Sequence, residues 1–260
     1  MLTLTSLQYV LGAASGSLVG FTLGLVGGGG SILAVPLMIY VVGVRNPHVA
    51  IGTSAFAVAA NAAVGLFHHA RQRNVIWRCG GIYALAGIVG AFAGSTAGKH
   101  FDGQRLLFWF ALVMILVGVL MLRRRHDSGV PGVACHRGNA GKVLSFGLGS
   151  GVFSGFFGIG GGFLIVPGLI GSTNMSMLNA VGTSLVAVTA FGLTTSLNYA
   201  LSGLVDWPLA GVFIAGGVMG SMIGTTAAKR LANTAGRLTS IFAILIFLVA
   251  AYMLWRGSHP

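Results

Sequence analysis

Acid is almost missing from this chain: its 260 residues contain Asp102, Asp127 and Asp206, no glutamate, and 15 lysines and arginines. Charged residues make up 7% of the sequence, against about a quarter in ordinary soluble domains. A globule of this size could not solvate its surface with so few, so a soluble fold is excluded. All three aspartates fall in polar stretches or at the edge of an apolar run, which disfavours a proton relay or Na⁺ site built on a carboxylate inside the membrane. Cysteine is scarce as well. Cys79 and Cys135 sit in basic polar stretches outside any CxxC or Cys/His cluster, so neither a disulfide framework nor a metal site is implied. No serine has glycine at both −2 and +2, which leaves a G-x-S-x-G hydrolase elbow without a candidate. The chain is not expected to be an enzyme or to need a cofactor. Residues 1–44 carry no charge before the run reaches Arg45, so the basic n-region of a signal peptide is missing and the first apolar stretch is expected to stay as a membrane segment.

What remains is apolar and glycine-rich, with 55% hydrophobic residues and 43 glycines. A membrane span needs about 20 apolar residues, and such stretches run at 7–44, 50–68, 77–98, 105–122, 143–171, 180–199, 207–228 and 238–255. The first and fifth are too long for one span. Each contains a glycine cluster, Gly27–Gly30 and Gly158 with Gly160–Gly162, followed by Pro36 or Pro167, and each reads as two helical pieces. The expectation is an all-α polytopic membrane protein of eight hydrophobic stretches and about ten helical pieces.

The chain repeats itself. A shift of 131 superimposes Gly16, Gly20, Gly24, Gly27, Gly29, Gly30 and Pro36 on Gly147, Gly151, Gly155, Gly158, Gly160, Gly161 and Pro167; a shift of 130 superimposes Gly52-Thr53-Ser54 on Gly182-Thr183-Ser184, Trp77 on Trp207 and Lys99 on Lys229. Two homologous halves follow, residues 1–123 and 143–260, joined by a basic loop at 124–142. Four crossings per half would make the repeats parallel, and five would make them inverted. The five-segment reading places Arg71, Arg73, Arg78, Arg123, Arg124, Arg125, Arg137, Lys142, Lys229, Arg230 and Arg237 on one face, a stronger positive-inside bias than the alternative gives. It favours inverted repeats with the connecting loop in the cytoplasm.

Broken helices in duplicated membrane bundles expose backbone groups that lipid would not tolerate, and transporters place substrate there. Gly29, Gly30 and Ser31 in the first break, Gly161 and Gly162 in the second, and Pro36 and Pro167 behind them are candidate substrate-site residues, with helix N-termini aimed at an anion. Many of the other glycines are expected to serve helix packing. Thr53, Ser54, Thr183 and Ser184 open apolar helices, where a hydroxyl can cap the helix or face a substrate. Ser54 and Asn61 share a helix face, as do Thr183 with Thr194 and Ser184 with Thr195, giving neutral donors along matching helices. Lys99 and Lys229 match between the halves at helix C-termini, where the dipole favours a cation and an anion gate is a second reading. His68 and His69 read as an interfacial polar cap, and Trp77 and Trp207 as interfacial aromatics. The cations are spread over membrane loops, which argues against nucleic acid and allows contact with anionic lipid.

The segments GLVGGGGSILAVPLM at 24–38 and GFFGIGGGFLIVPGLI at 155–170, each followed by A-x-G-T-S, resemble the TauE/SafE family, the sulfite exporter or toluene-sulfonate uptake permeases, over essentially the whole chain. The resemblance implies a multi-pass protein of the bacterial inner membrane that moves sulfite, sulfoacetate or a related sulfur-containing anion, with no ATPase domain and no cofactor. A proton or another ion could be coupled to that movement. The expectation is a secondary transporter of a small anion, working by alternating access between the two repeats; an anion channel lined by the same groups and a non-transporting membrane scaffold are the other readings.

Overall fold

The computed structural model describes residues 5–123, 135, 137–158, 162–231, 244 and 246–255, and among them there is no strand ladder, only helices and short connections. The helix α1 covers Ser6–Val26. The glycine cluster that follows does break it. The chain continues as an irregular helix, α2, that opens as a tight 3₁₀ turn at Gly27–Leu33, passes through Ala34–Pro36, and widens to a π-helix at Leu37–Val41. Proline has no N–H to give and its ring crowds the preceding turn, and the widened ladder appears directly behind it, where the N–H of Val42 reaches the carbonyl of Leu37 at 3.0 Å. The remaining helices are α3 (Pro47–Arg71), α4 (Trp77–His100), α5 (Gly103–Arg123), α6 (Arg137–Phe157), α7 (Gly162–Thr173), α8 (Met177–Ala200), α9 (Trp207–Leu231) and α10 (Ile246–Trp255). Five pieces lie in each half. Helix α6 starts within the basic connection, because Arg137–Lys142 is helical although too polar to register as part of an apolar stretch.

Among the described residues, five helices are long and apolar enough to cross a bilayer, within Pro47–Arg71, Trp77–His100, Gly103–Leu120, Leu178–Ala200 and Trp207–Ala227. Large apolar side chains such as Leu85, Leu197, Met219 and Leu248 cover the outside of the bundle, as lipid contact requires. Short α2 folds back along α1. Thr22 donates from Oγ1 to the carbonyl of Gly30 at 3.3 Å, and Gln8 donates from Nε2 to the carbonyl of Val42 at 3.1 Å. Between Gln8 and Thr22, α1 rises by about 21 Å, so α2 retraces about two thirds of a hydrocarbon core about 30 Å thick.

Glycine stripes decide which helices touch. Along α1, Cβ atoms at Gly16, Gly20 and Gly24 would fall on the carbonyls of Phe213, Gly217 and Ser221 in α9. The repeat reproduces this in α6, where Gly147, Gly151 and Gly155 lie on the carbonyls of Tyr83, Gly87 and Ala91 in α4. Backbone-to-backbone packing of this kind is the membrane's substitute for a hydrophobic drive between helices. Both pairs run parallel, and both join a first helix of one half to the fourth helix of the other. Between them α3 and α8 cross in opposite directions, with Gly52 against Tyr199, Gly192 against Ala55 and Ala59, and Gly65 against Leu185.

The pairing of Cys79 with Cys135 corrects the reading that no disulfide is implied. Their sulfurs are bonded at 2.02 Å, and both residues are buried. They are 56 positions apart in sequence with all of α5 between them, so their approach is a product of the tertiary fold and leaves no local pattern. The bond places Cys135 on the same face as the start of α4.

Candidate functional site

The G-T-S elements come to the seam between the halves, and each holds a loop of the opposite half. The N–H of Asp206 donates to Thr53 Oγ1 at 2.9 Å, and the N–H of Ile76 donates to Thr183 Oγ1 at 3.0 Å. The glycine before each threonine allows this approach: a Cβ at Gly52 would meet the carbonyl of Leu204, and one at Gly182 would meet the carbonyl of Asn74 at 2.7 Å. One half thereby positions the entrance to α9, the other the entrance to α4. Asp206 completes the start of α9 by accepting the N–H of Leu209 at 3.1 Å. The serines bond backward within their own helices, Ser54 to the carbonyl of Ile51 at 3.1 Å and Ser184 to that of Val181 at 2.7 Å. All four hydroxyl residues are fully buried. The expectation that these hydroxyls cap their own helices is corrected: α3 and α8 begin six residues earlier, at Pro47 and Met177, and each threonine instead holds the entrance to a helix of the other half.

The first glycine break packs on α1. A Cβ at Gly30 would collide with the backbone at Thr22 and Leu23, while Ser31 and Pro36 are buried in α2 and Gly29 lies in its 3₁₀ turn. In the second break Gly158 closes α6 with φ of +67° and faces Ile51, a left-handed conformation in which a side chain would be strained. Gly162 opens α7, Pro167 stands within it, and Gly161 lies outside the described residues. Thr194 bonds to the carbonyl of Ala190 at 2.8 Å.

Asn61 is different. It sits at mid-height of α3, is 1% exposed, and neither its Oδ1 nor its Nδ2 has a hydrogen-bond partner. Its amide rests on Gly217 of α9, where a Cβ would overlap it. Three more buried side-chain oxygens of these helices lack partners, Ser154 Oγ on α6 and Thr195 Oγ1 and the Tyr199 hydroxyl on α8; the buried hydroxyl of Tyr83 on α4 lies beside Ser150 and points at Gly168 just beyond Pro167. In the repeat the counterparts of Asn61, Ser154, Thr195 and Tyr83 are Phe191, Leu23, Gly65 and Phe213. Each of these four corresponds to an apolar or absent side chain in the other half, whereas Tyr199 corresponds to His69. At the counterpart of Asn61, Phe191 fills the space over Gly87 and stacks on Tyr83 with ring centroids 6.3 Å apart. Tyr83 and Ser154 were not singled out from the sequence. A search for identity between the halves passes over positions where they differ, and a search for difference would have found both.

Neither described carboxylate enters a span. Asp102 accepts the N–H groups of Gln104 and Arg105 at the start of α5, and Asp206 stands before α9. Among the described residues no group of three His, Cys, Asp or Glu side chains could hold a metal.

The family model described as "Sulfite exporter TauE/SafE" matches residues 12–253. This chain belongs to the TauE/SafE family. It is 51% identical over 262 residues, 98% of each chain, to a "Probable membrane transporter protein" of Xylella fastidiosa strain 9a5c. It is 24% identical over 274 residues to the "Probable membrane transporter protein YunE" of Bacillus subtilis, covering 96% of this chain and 99% of that one. No solved structure matches it. As a TauE/SafE protein it is a multi-pass membrane protein of a transporter family, and its relatives are named as transporters, which are not enzymes.

Proposed function

We propose that this TauE/SafE protein carries a small anion, a sulfur oxyanion or organosulfonate such as sulfite or sulfoacetate, across the bacterial inner membrane by alternating access. The observation that carries the reading is Asn61, with both amide atoms buried and unpartnered at the middle of a span. Buried polar groups are hydrogen-bonded in the great majority of cases, and polar groups at that depth mark substrate paths. With Tyr83, Ser154 and Thr195, Asn61 supplies neutral donors without a nearby carboxylate, which suits an anion. The two glycine breaks frame this set from α2 and α7. Counterpart helices α3 and α8 run in opposite directions, which supports halves of inverted orientation that rock about the seam held by Thr53 and Thr183.

The test is flux into proteoliposomes of purified protein, with sulfite, thiosulfate, sulfate, sulfoacetate, taurine and a carboxylate control under an imposed pH gradient. Saturable uptake of one sulfur anion, lost in Asn61→Leu protein that is still folded, is the expected result. Wild-type rates in that variant would remove Asn61 from the site, and a unitary conductance far above carrier turnover would make the protein a channel.

A further inference from the structure

On the face opposite the Cys79–Cys135 bond, α4 and α8 end side by side, and they belong to different halves. Lys99, in the last turn of α4, spans the gap. Its half-buried ammonium donates to Asn198 Oδ1 at 2.9 Å, to the Asn198 carbonyl at 3.2 Å and to Ser202 Oγ at 2.9 Å. The Asn198 amide returns across the seam, donating to Ser95 Oγ at 2.6 Å and Thr96 Oγ1 at 3.0 Å. The ammonium stands 6.0 Å from the ring centroid of Tyr199. Every partner is neutral. Asp102 and Asp206, the carboxylates of this face, are occupied at the starts of α5 and α9. What holds the cation here in the absence of a counter-ion is the convergence of two helix C-termini, each worth about half a negative charge.

We propose that Lys99, with Asn198 and Ser202, forms a second anion-binding station at this mouth of the protein, and that a small oxyanion binding there releases α4 from α8. The reasoning is one of exchange. A hydrogen bond from an ammonium to an anionic oxygen is about twice as strong as one between neutral groups, and it is also favoured over one to an amide or hydroxyl oxygen. An arriving oxyanion therefore takes the ammonium from Asn198 Oδ1 and Ser202 Oγ, and the contacts that pin the two helix ends together are given up in the same event. A neutral solute offers no such gain and leaves the seam closed. The station thus selects for charge before the cargo reaches the neutral donors at mid-membrane. In the repeat, Lys229, His68 and Gln72 occupy the positions of Lys99, Asn198 and Ser202; the side chain of Lys229 lies outside the described residues, and His68 is engaged with the carbonyl of Val64. The inference rests on the anion-carrier reading for its cargo but uses none of the residues of the central site.

Two measurements on the full chain test it. The first is sulfite and sulfoacetate flux in proteoliposomes over a concentration range for wild type, Lys99→Gln and Lys99→Arg. Loss of the charge is expected to raise KM about tenfold, the scale of one charge-assisted bond, and Lys99→Arg to stay within about threefold of wild type. The second needs no flux: Thr96→Cys in a Cys79→Ser/Cys135→Ser background, labelled with a membrane-impermeant maleimide. Saturating sulfoacetate, which does not react with the maleimide, is expected to speed labelling at least threefold when Lys99 is present, and to leave it unchanged with Lys99→Gln. Saturable wild-type flux with an unchanged KM in Lys99→Gln overturns the station and spares the carrier reading. Absence of any anion flux overturns the carrier reading, and the station is then decided by labelling alone: a rate indifferent to sulfoacetate overturns it.

Discussion

Replacing Thr53 by valine keeps the volume of the side chain and removes the oxygen that receives the N–H of Asp206. That donor lies at the part-buried entrance to α9, with Gly52 pressed on the carbonyl of Leu204 two residues earlier, and the acceptor it loses is fully buried. A donor stranded in such a place costs about 1–3 kcal/mol, and for a chain of this size each kcal/mol lowers Tm by about 2–4 °C; a fall of about 2–12 °C is expected. Thr183→Val should produce the same fall, because its oxygen serves Ile76 in the same geometry. The serine variants of both keep the oxygen and should stay within about 2 °C of wild type. The assay is thermal unfolding of purified protein in detergent, followed by KM in proteoliposomes below the transition. If the threonines organise loops, Tm falls and KM stays. A raised KM with an unchanged Tm in either valine variant would refute this account and return that hydroxyl to the substrate.

Asn61→Leu should move stability and transport in opposite senses: an unpaired buried amide is removed, so Tm holds or rises, while flux falls at least tenfold, and parallel losses of both would mark Asn61 as structural. Gly20→Ala places a methyl on the carbonyl of Gly217, whereas Gly149→Ala meets nothing within 4 Å; the first should lower Tm by several degrees and the second leave it unchanged or raise it by the helix preference of alanine, about 1 kcal/mol. Thermal unfolding of the two proteins in detergent separates these outcomes directly. A protease site placed between Arg125 and Pro131 would cut the chain between the bonded cysteines, so the fragments should stay joined on a non-reducing denaturing gel and part on a reducing one.

Much of this architecture is written in glycine and proline. Gly27–Gly30 and Pro36 predict the break between α1 and α2, because backbone freedom and a missing N–H act locally whatever the tertiary context, and the offsets of 130 and 131 predict two homologous halves. The partners of those glycines are less legible. Gly20 announces a close approach without saying that Gly217 makes it, and the approach of Cys135 to Cys79 depends on the packing of every helix between. Thr53 shows the same limit. Its position near the start of an apolar stretch suggests a cap, yet α3 begins six residues earlier at Pro47 and the group Thr53 holds is 153 residues away. Asn61 stood out because amides are rare at that depth. Ser154 and Tyr83 did not, since serine and tyrosine are common in helices and only the fold reveals that the Ser154 hydroxyl is buried without a partner and that the Tyr83 hydroxyl is buried against Gly168.

The two glycine seams also set an order of assembly. Helix α6 meets α4 after a short stretch of intervening chain, so that pair can close while the second half is still being made. Helix α1 enters the membrane first and must wait for α9, which begins at Trp207; until then its grooves at Gly16, Gly20 and Gly24 are open to lipid, or to the α9 of a neighbouring copy. The last seam to form joins nearly the first and nearly the last helix to be synthesised. Neither half can therefore complete its own packing as a separate chain, and the duplication that built the protein has left a single unit of folding.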